Sequence, residues 1–425
     1  MLDKGKFQLI SLLKRTSFNN FLNLVINQGT NVIVALFINR YLYQTLGEEE
    51  YGLVSLALTL VMLLAILVNY GFHLNGPKRI AIFKFDRVER QNLINEVIQT
   101  RIYISLALIL ISAAVVYLFN LFPSYSKIFV FSLVILLNEA VFPLFILQGL
   151  DRLSWLSRTN AIAKLLYLIS VFLIVQSIQD SFWVNFLFGG SALAVNTVLL
   201  FNIYKKEAIT FYWVKLTKVL ENLKTNFNYF MSTIAGHVSI HGGLAVLGIF
   251  VADAELGKYA LAQRIAFLFR LVPTFFIQSI LQKSSKLNQT DKPAMRAYLS
   301  FVFKGSLLVT FALGLLTLLG SKWIVLIVGG EFVPYSADVL RVLAFVPFLS
   351  ALNIKNMIFI LVDEKQDVLA KSTWITAIYM LSASIFASYT FGGIGLAFAL
   401  LSTELVSYMV HSYWVMKSQN NNMIV

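Results

Sequence analysis

The chain has 425 residues, 58% of them hydrophobic and only 13% charged, with a mean hydropathy of +0.76. Soluble domains carry about a quarter charged residues, so this composition excludes a water-soluble globular protein and points to a polytopic helical membrane protein. The formal charge of +13 comes without a soluble stretch long enough to fold as a basic domain, which argues against nucleic acid as a partner, and the lack of cysteine excludes disulfides, thiolate chemistry and cysteine-based metal sites.

Residues 1–17 carry Lys4, Lys6, Lys14 and Arg15 and read as an interfacial segment. The apolar run behind them is too long and too rich in amides for a cleaved signal, so it is expected to be retained as the first membrane helix, 18–43. Asn20, Asn23, Asn27 and Asn31 recur at helical spacing with Gln28 beside them, giving one amide-lined face. Amides facing lipid would lose their hydrogen bonds, so this face looks at protein or at water. Interhelical bonding and the wall of a polar cavity are both open readings, and Asn20, Asn27 and Asn31 are candidate substrate contacts.

Eleven further apolar runs follow, at 52–72, 98–120, 127–148, 160–178, 181–204, 226–250, 258–281, 297–319, 338–361, 372–390 and 393–416. The fold expected is therefore all-α with twelve transmembrane helices. Placing the N-terminus and every second loop in the cytoplasm gathers most of the 34 basic residues there, including Lys78, Arg79, Lys84, Arg87, Arg90, Arg152, Arg158, Lys205, Lys206, Lys283 and Lys286. The opposite loops hold Lys127, Lys258 and Lys322 among several acids, so both termini are expected in the cytoplasm.

A shift of about 208 residues lays FNNFLNLVINQ at 18–28 on NFNYFMSTIAG at 226–236, and EYGLVSLALTL at 50–60 on KYALAQRIAFL at 258–268. Two halves of six helices in the same orientation form a parallel repeat. The expected division is an N-lobe at 18–204, a cytoplasmic linker at 205–225, a C-lobe at 226–416 and a tail at 417–425.

Within the spans, charge is costly, at about 2.5 to 3.5 kcal/mol per ion near the centre of a helix. Arg264 and Arg270 in the eighth span and Lys355 in the tenth are therefore candidates for function, with Arg40 near the outer end of the first. Arg101, Lys164, Lys304 and Arg341 lie close enough to span ends to snorkel. Glu139 and Glu404 are the acids set against them, and each reads either as a counter-ion or as a proton-coupling group. The surplus of positive charge favours a cavity that attracts anions, phosphate above all. His237 and His241, at i and i+4 in the seventh span, read as interhelical hydrogen-bonding groups or as proton-sensing positions in a polar lumen. A metal site there would need a third ligand that the sequence does not supply, so neither metal nor cofactor is expected.

The segment NYGFHLNGPKRIA at 69–81 resembles the end of the second helix in bacterial O-antigen and polysaccharide flippases, the Wzx-like polysaccharide branch of the multidrug/oligosaccharidyl-lipid/polysaccharide exporter superfamily. LGEEEYGL at 46–53, LQGLDRLSWLSRTNAI at 147–162 and GGIGLAFALLSTELV at 392–406 are similar to other family features, so the likeness runs through the whole chain. It implies a non-enzymatic flippase of the inner membrane that moves an undecaprenyl-pyrophosphate-linked oligosaccharide outward by alternating access between two six-helix lobes. Membrane lipid and other polysaccharide-assembly proteins are its implied partners. The alternatives are a cation-coupled drug antiporter of the same superfamily, although the first helix has no Asp or Glu for a cation, and a membrane-embedded glycan polymerase, although no loop carries a catalytic cluster.

Overall fold

The computed structural model describes residues 2–120, 123, 125–363 and 365–421, and the side chains of 35–417 apart from a few positions including 153, 232, 282 and 366. The candidate contacts Asn20, Asn27 and Asn31 lie outside the described side chains. Among the described residues the secondary structure is helical throughout, with α1 (Leu2–Asn69), α2 (Phe72–Ile82), α3 (Arg87–Leu118), α4 (Ser126–Ser132), α5 (Val134–Val141), α6 (Leu144–Gly149), α7 (Leu153–Ile174), α8 (Ser181–Lys206), α9 (Leu216–Phe250), α10 (Asp253–Thr290), α11 (Lys292–Gly329), α12 (Pro334–Leu343), α13 (Val346–Leu352), α14 (Ile354–Val362) and α15 (Gln366–Asn421).

Ten stretches among the described residues are long and apolar enough to cross a membrane. The longest, Asp367–Lys417, covers both spans expected at 372–390 and 393–416, and Ala35–Ile82 covers the end of the first expected span and all of the second. Each long helix bends at a glycine, Gly47 with φ 73 and Gly392 with φ 58 and ψ −142. Only glycine adopts such angles without a Cβ clash. Leu110 of α3, Leu308 and Leu316 of α11, and Phe386 and Tyr389 of α15 are exposed. Apolar surface on this scale is compatible with lipid as solvent and not with water, so the protein is a multi-pass membrane protein.

Packing divides the chain into two compact units, Met1–Gln44 with Lys258–Val425, and Thr45–Gly257. The repeat defines the lobes expected from sequence, whereas packing defines these units. In the Thr45–Gly257 unit, Phe72, Ile80, Ile94, Val97, Phe145 and Leu147 form a continuous buried core. In the other, Ile280, Met295, Leu299, Ala351, Ile354 and Ile358 do the same.

Two expected spans are not single helices. The fourth is broken into α4, α5 and α6, with Phe142 extended (ψ 111) ahead of Pro143, because the ring of proline excludes the helical conformation from the residue before it. The tenth is broken into α12, α13 and α14, with Pro347 in the first turn of α13. These spans hold corresponding positions in the two sequence halves. Paired interruptions of this kind are the best backbone pointer to a transport site, since irregular backbone at membrane depth persists only where it lines a cavity or is packed in protein.

The expected linker is an ordered strap. Residues 207–215 run extended along α3, where Gln91 and Asn95 hold the N–H and C=O of Thr210, and Gln99 holds the C=O of Tyr212 and the N–H of Val214. Glu207 is ion-paired with Arg90 at 3.0 Å and Arg152 at 2.7 Å, and Arg87 donates to the Ala208 carbonyl. Three arginines read from sequence as orientation signals thus also fasten this strap.

Candidate functional site

Polar side chains collect at both breaks. In the Thr45–Gly257 unit, Pro143 leaves the carbonyl of Glu139 without its helical donor. Arg101 takes that carbonyl and also donates to the Phe142 carbonyl at 2.9 Å and to Glu139 Oε1 at 3.1 Å. Arg101 is only 2% exposed, so it does not snorkel as its position near a span end suggested. Burial was not legible because its partners lie about forty residues away in sequence. The same Glu139 oxygen accepts from Asn69 Nδ2 at 2.7 Å, and Asn69 Oδ1 lies 2.7 Å from His73 Nδ1. His237 and His241 stack one turn apart on α9 with ring centroids 6.1 Å apart, and His237 lies within electrostatic reach of both His73 and Glu139. The structure therefore gathers Glu139, His237 and, one turn beyond it, His241. It adds Asn69, His73 and Arg101, to which the sequence reading gave no role. The i, i+4 spacing of Asn69 and His73 in NYGFH was the available signal.

In the other unit, Arg270 is ion-paired with the buried Glu404 at 2.5 Å, and Arg264 Nη1 donates to Asn39 Oδ1 at 2.5 Å. Arg40 is exposed and donates to the Ile327 carbonyl at 3.3 Å. Lys355, in the first turn of α14 after the break, sits with its ammonium 4.3 Å over the Phe303 ring. Asn353 and Asn356, flanking it in sequence, meet Ser407, His411 and Ser412 of α15 in a hydrogen-bonded network. A third carboxylate, Asp338 at the start of the tenth span, pairs with Arg341 at 2.5 Å.

The charge balance is now specific. Glu139 and Glu404 are each in an ion pair, with Arg101 and Arg270. Among the described residues no carboxylate pairs with Lys355, whose ammonium lies over an aromatic ring. Such a cation can hold an anion as a point charge. Among the described residues no cluster of three acidic or imidazole ligands is placed to hold a metal ion.

Residues 17–282 match the polysaccharide biosynthesis protein family. A protein named as an O-antigen transporter in Escherichia coli (strain K12) is 23% identical over 411 residues, covering 96% of this chain and 97% of its own. One named as a low-salt glycan biosynthesis flippase in Haloferax volcanii is 22% identical, covering 95% and 83%. Among solved structures, the lipid II flippase MurJ in an inward closed conformation superposes with a TM-score of 0.72 at 17% identity, covering 93% of this chain and 87% of its own. An inward-facing multidrug resistance transporter of the MATE family superposes with a TM-score of 0.71 at 12% identity, covering 91% and 93%. These relatives are transporters and flippases, not enzymes. The chain belongs to the polysaccharide biosynthesis protein family.

Proposed function

We propose that the protein carries an undecaprenyl-pyrophosphate-linked O-antigen or polysaccharide repeat unit from the cytoplasmic to the periplasmic leaflet of the bacterial inner membrane, by alternating access of two six-helix lobes, with both termini in the cytoplasm. One observation carries the reading, the unneutralised Lys355 ammonium beside the broken tenth span. A pyrophosphate supplies the missing negative charge, and Asn353 and Asn356 offer amides to sugar hydroxyls. Arg264, Arg270 and Arg40 extend the positive field toward a substrate. The lipid tail stays in the bilayer, and no bond is broken. With the cell interior negative, moving an anion outward gains about 2.3 kcal/mol per charge per 100 mV, so the potential favours this direction without a counter-ion. A drug antiporter on the same fold fits less well, because a positive site raises the entry barrier for cationic drugs.

Lys355→Ala removes a charge-assisted contact worth about 1.5 to 3 kcal/mol, so half-maximal flipping should need about ten-fold or more substrate. In cells carrying this variant as the sole flippase, lipid-linked oligosaccharide should accumulate on the cytoplasmic leaflet, and Lys355→Arg should restore part of the export. Normal export by a chain lacking both Lys355 and Arg270 would overturn the reading.

A further inference from the structure

Asn69 and His73 face each other across the joint between α1 and α2, where Tyr70 (φ 47) and Gly71 (φ 75) turn the chain. The chemistry of the contact fixes the direction of every group in it. Glu139, ion-paired to Arg101, is a carboxylate and only accepts, so the Asn69 NH2 faces it at 2.7 Å and the Asn69 carbonyl oxygen faces the imidazole. That oxygen cannot donate, so the hydrogen in the 2.7 Å contact belongs to His73 Nδ1. In the neutral ring the lone pair is then on Nε2. Among the described residues Nε2 has no hydrogen-bond partner.

We propose that His73 Nε2 is a proton-binding site, positioned and polarised through Asn69 by the Arg101–Glu139 pair, and that its occupancy sets a proton-dependent step of the transport cycle. The use in transport rests on the flippase reading; the proton site itself does not. A proton from water adds to the Nε2 lone pair, one N–H bond forms and the ring becomes imidazolium. The Nδ1–H bond to Asn69 survives and becomes charge-assisted, drawing on the carboxylate behind the amide.

The groups facing His73 come from each neighbouring element. α3 brings Arg101, α5 brings Glu139, α9 brings His237 with His241 one turn beyond, and α6 brings no ionisable side chain. A charge on His237 opposes one on His73, so the two rings compete for a proton. The location gives that proton leverage. Tyr70 at the joint stacks on Phe230 of α9 with centroids 4.2 Å apart, and Gly71 packs so closely on Tyr229 and Phe230 that an added Cβ would lie 2.7 Å from them. A charge appearing here acts on the junction of three helices.

The test uses the full chain in lipid nanodiscs with isotope-labelled histidine. Its four histidines give few enough imidazole signals to assign with His73→Gln. The ring nitrogen shifts of neutral His73 should report the Nδ1–H tautomer, with one proton taken up at Nε2 on acidification. Asn69→Ala should return the ring to the Nε2–H form that free histidine prefers. An Nε2–H tautomer in the unaltered chain, or a tautomer indifferent to Asn69→Ala, overturns the site. In vesicles, flipping by the unaltered chain should change several-fold as the pH falls from about 8 toward 4 and become flat in His73→Gln. A profile that His73→Gln leaves unchanged overturns the transport role. If the tautomer is as stated and no variant or parent flips substrate at any pH, the flippase reading fails and the proton site stands.

Discussion

Arg101 illustrates what a buried cation does in this membrane protein. Its guanidinium neutralises Glu139, occupies the Glu139 carbonyl that Pro143 leaves without a donor, and bonds the Phe142 carbonyl at the break, so ion pair and helix break stabilise each other. Arg101→Met should destabilise the fold by about 3 to 5 kcal/mol, because it strands a carboxylate, while Arg101→Met with Glu139→Gln should recover much of that loss. Denaturation in detergent micelles compares the two. Lys283, just beyond the eighth span, is the opposite case. Its ammonium lies 3.5 Å over the Tyr298 ring with no hydrogen-bond partner, and burial pushes it down to about 8. The unfolded chain holds that proton up to its ordinary range near ~10.4. Between those values the unfolded state binds more protons, so stability from this site rises with pH, and below about 8 the cost of the buried charge is present in full. Lys283→Met should therefore raise the unfolding temperature at pH 7, with the advantage shrinking as pH approaches 10. Residue types at these positions were legible in the sequence, but their partners were not. Deep charge announces itself by its cost in an apolar run, as with Arg270 and Lys355, whereas Asn69 and His73 are inexpensive residues whose meaning depends on Glu139 about seventy positions away.

At the scale of elements, hydropathy located the spans because apolar length is a direct requirement of the bilayer. It missed the interruptions of the fourth and tenth, since Leu, Ile, Phe and Val continue through both breaks and only Pro143 and Pro347 signal them. The strap at 207–215 was equally hidden, because its hydrogen bonds run from Gln91, Asn95 and Gln99 to backbone, which any sequence supplies. Glycines divide by what they do. Gly47 turns α1 with φ 73 and ψ 174, a region essentially reserved to glycine, and an added Cβ meets open space, so Gly47→Ala should cost only backbone strain, about 1 to 3 kcal/mol. A Cβ on Gly257, by contrast, would lie 1.8 Å from the Glu48 carbonyl oxygen, a backbone atom that must move. Gly257→Ala should lower the unfolding temperature well beyond Gly47→Ala, and thermal melts of the two proteins in the same detergent decide it. Equal effects would mean that the α1–α10 contact yields easily.

Across the whole molecule, charge placement sets orientation, and orientation sets the direction in which a flippase works. The cationic loops act through the membrane's own asymmetry, so the orientation they predict needs no contacts to be drawn from sequence. The packing units were not, since they cut the chain between the first and second spans, at Gln44 and Thr45, rather than between the two sequence halves. A chain without cysteine allows the orientation to be read one thiol at a time. Phe85, 96% exposed in the basic loop between α2 and α3, and the exposed Glu331 after α11 belong to loops expected on opposite faces. An impermeant maleimide added to spheroplasts should label Glu331→Cys at once and Phe85→Cys only after the membrane is opened. The reverse pattern would turn the basic loops outward. An inside-negative potential would still drive an anion outward, but along a path entered from the face assigned here to the periplasm, and the proposed route of transport would fall with it.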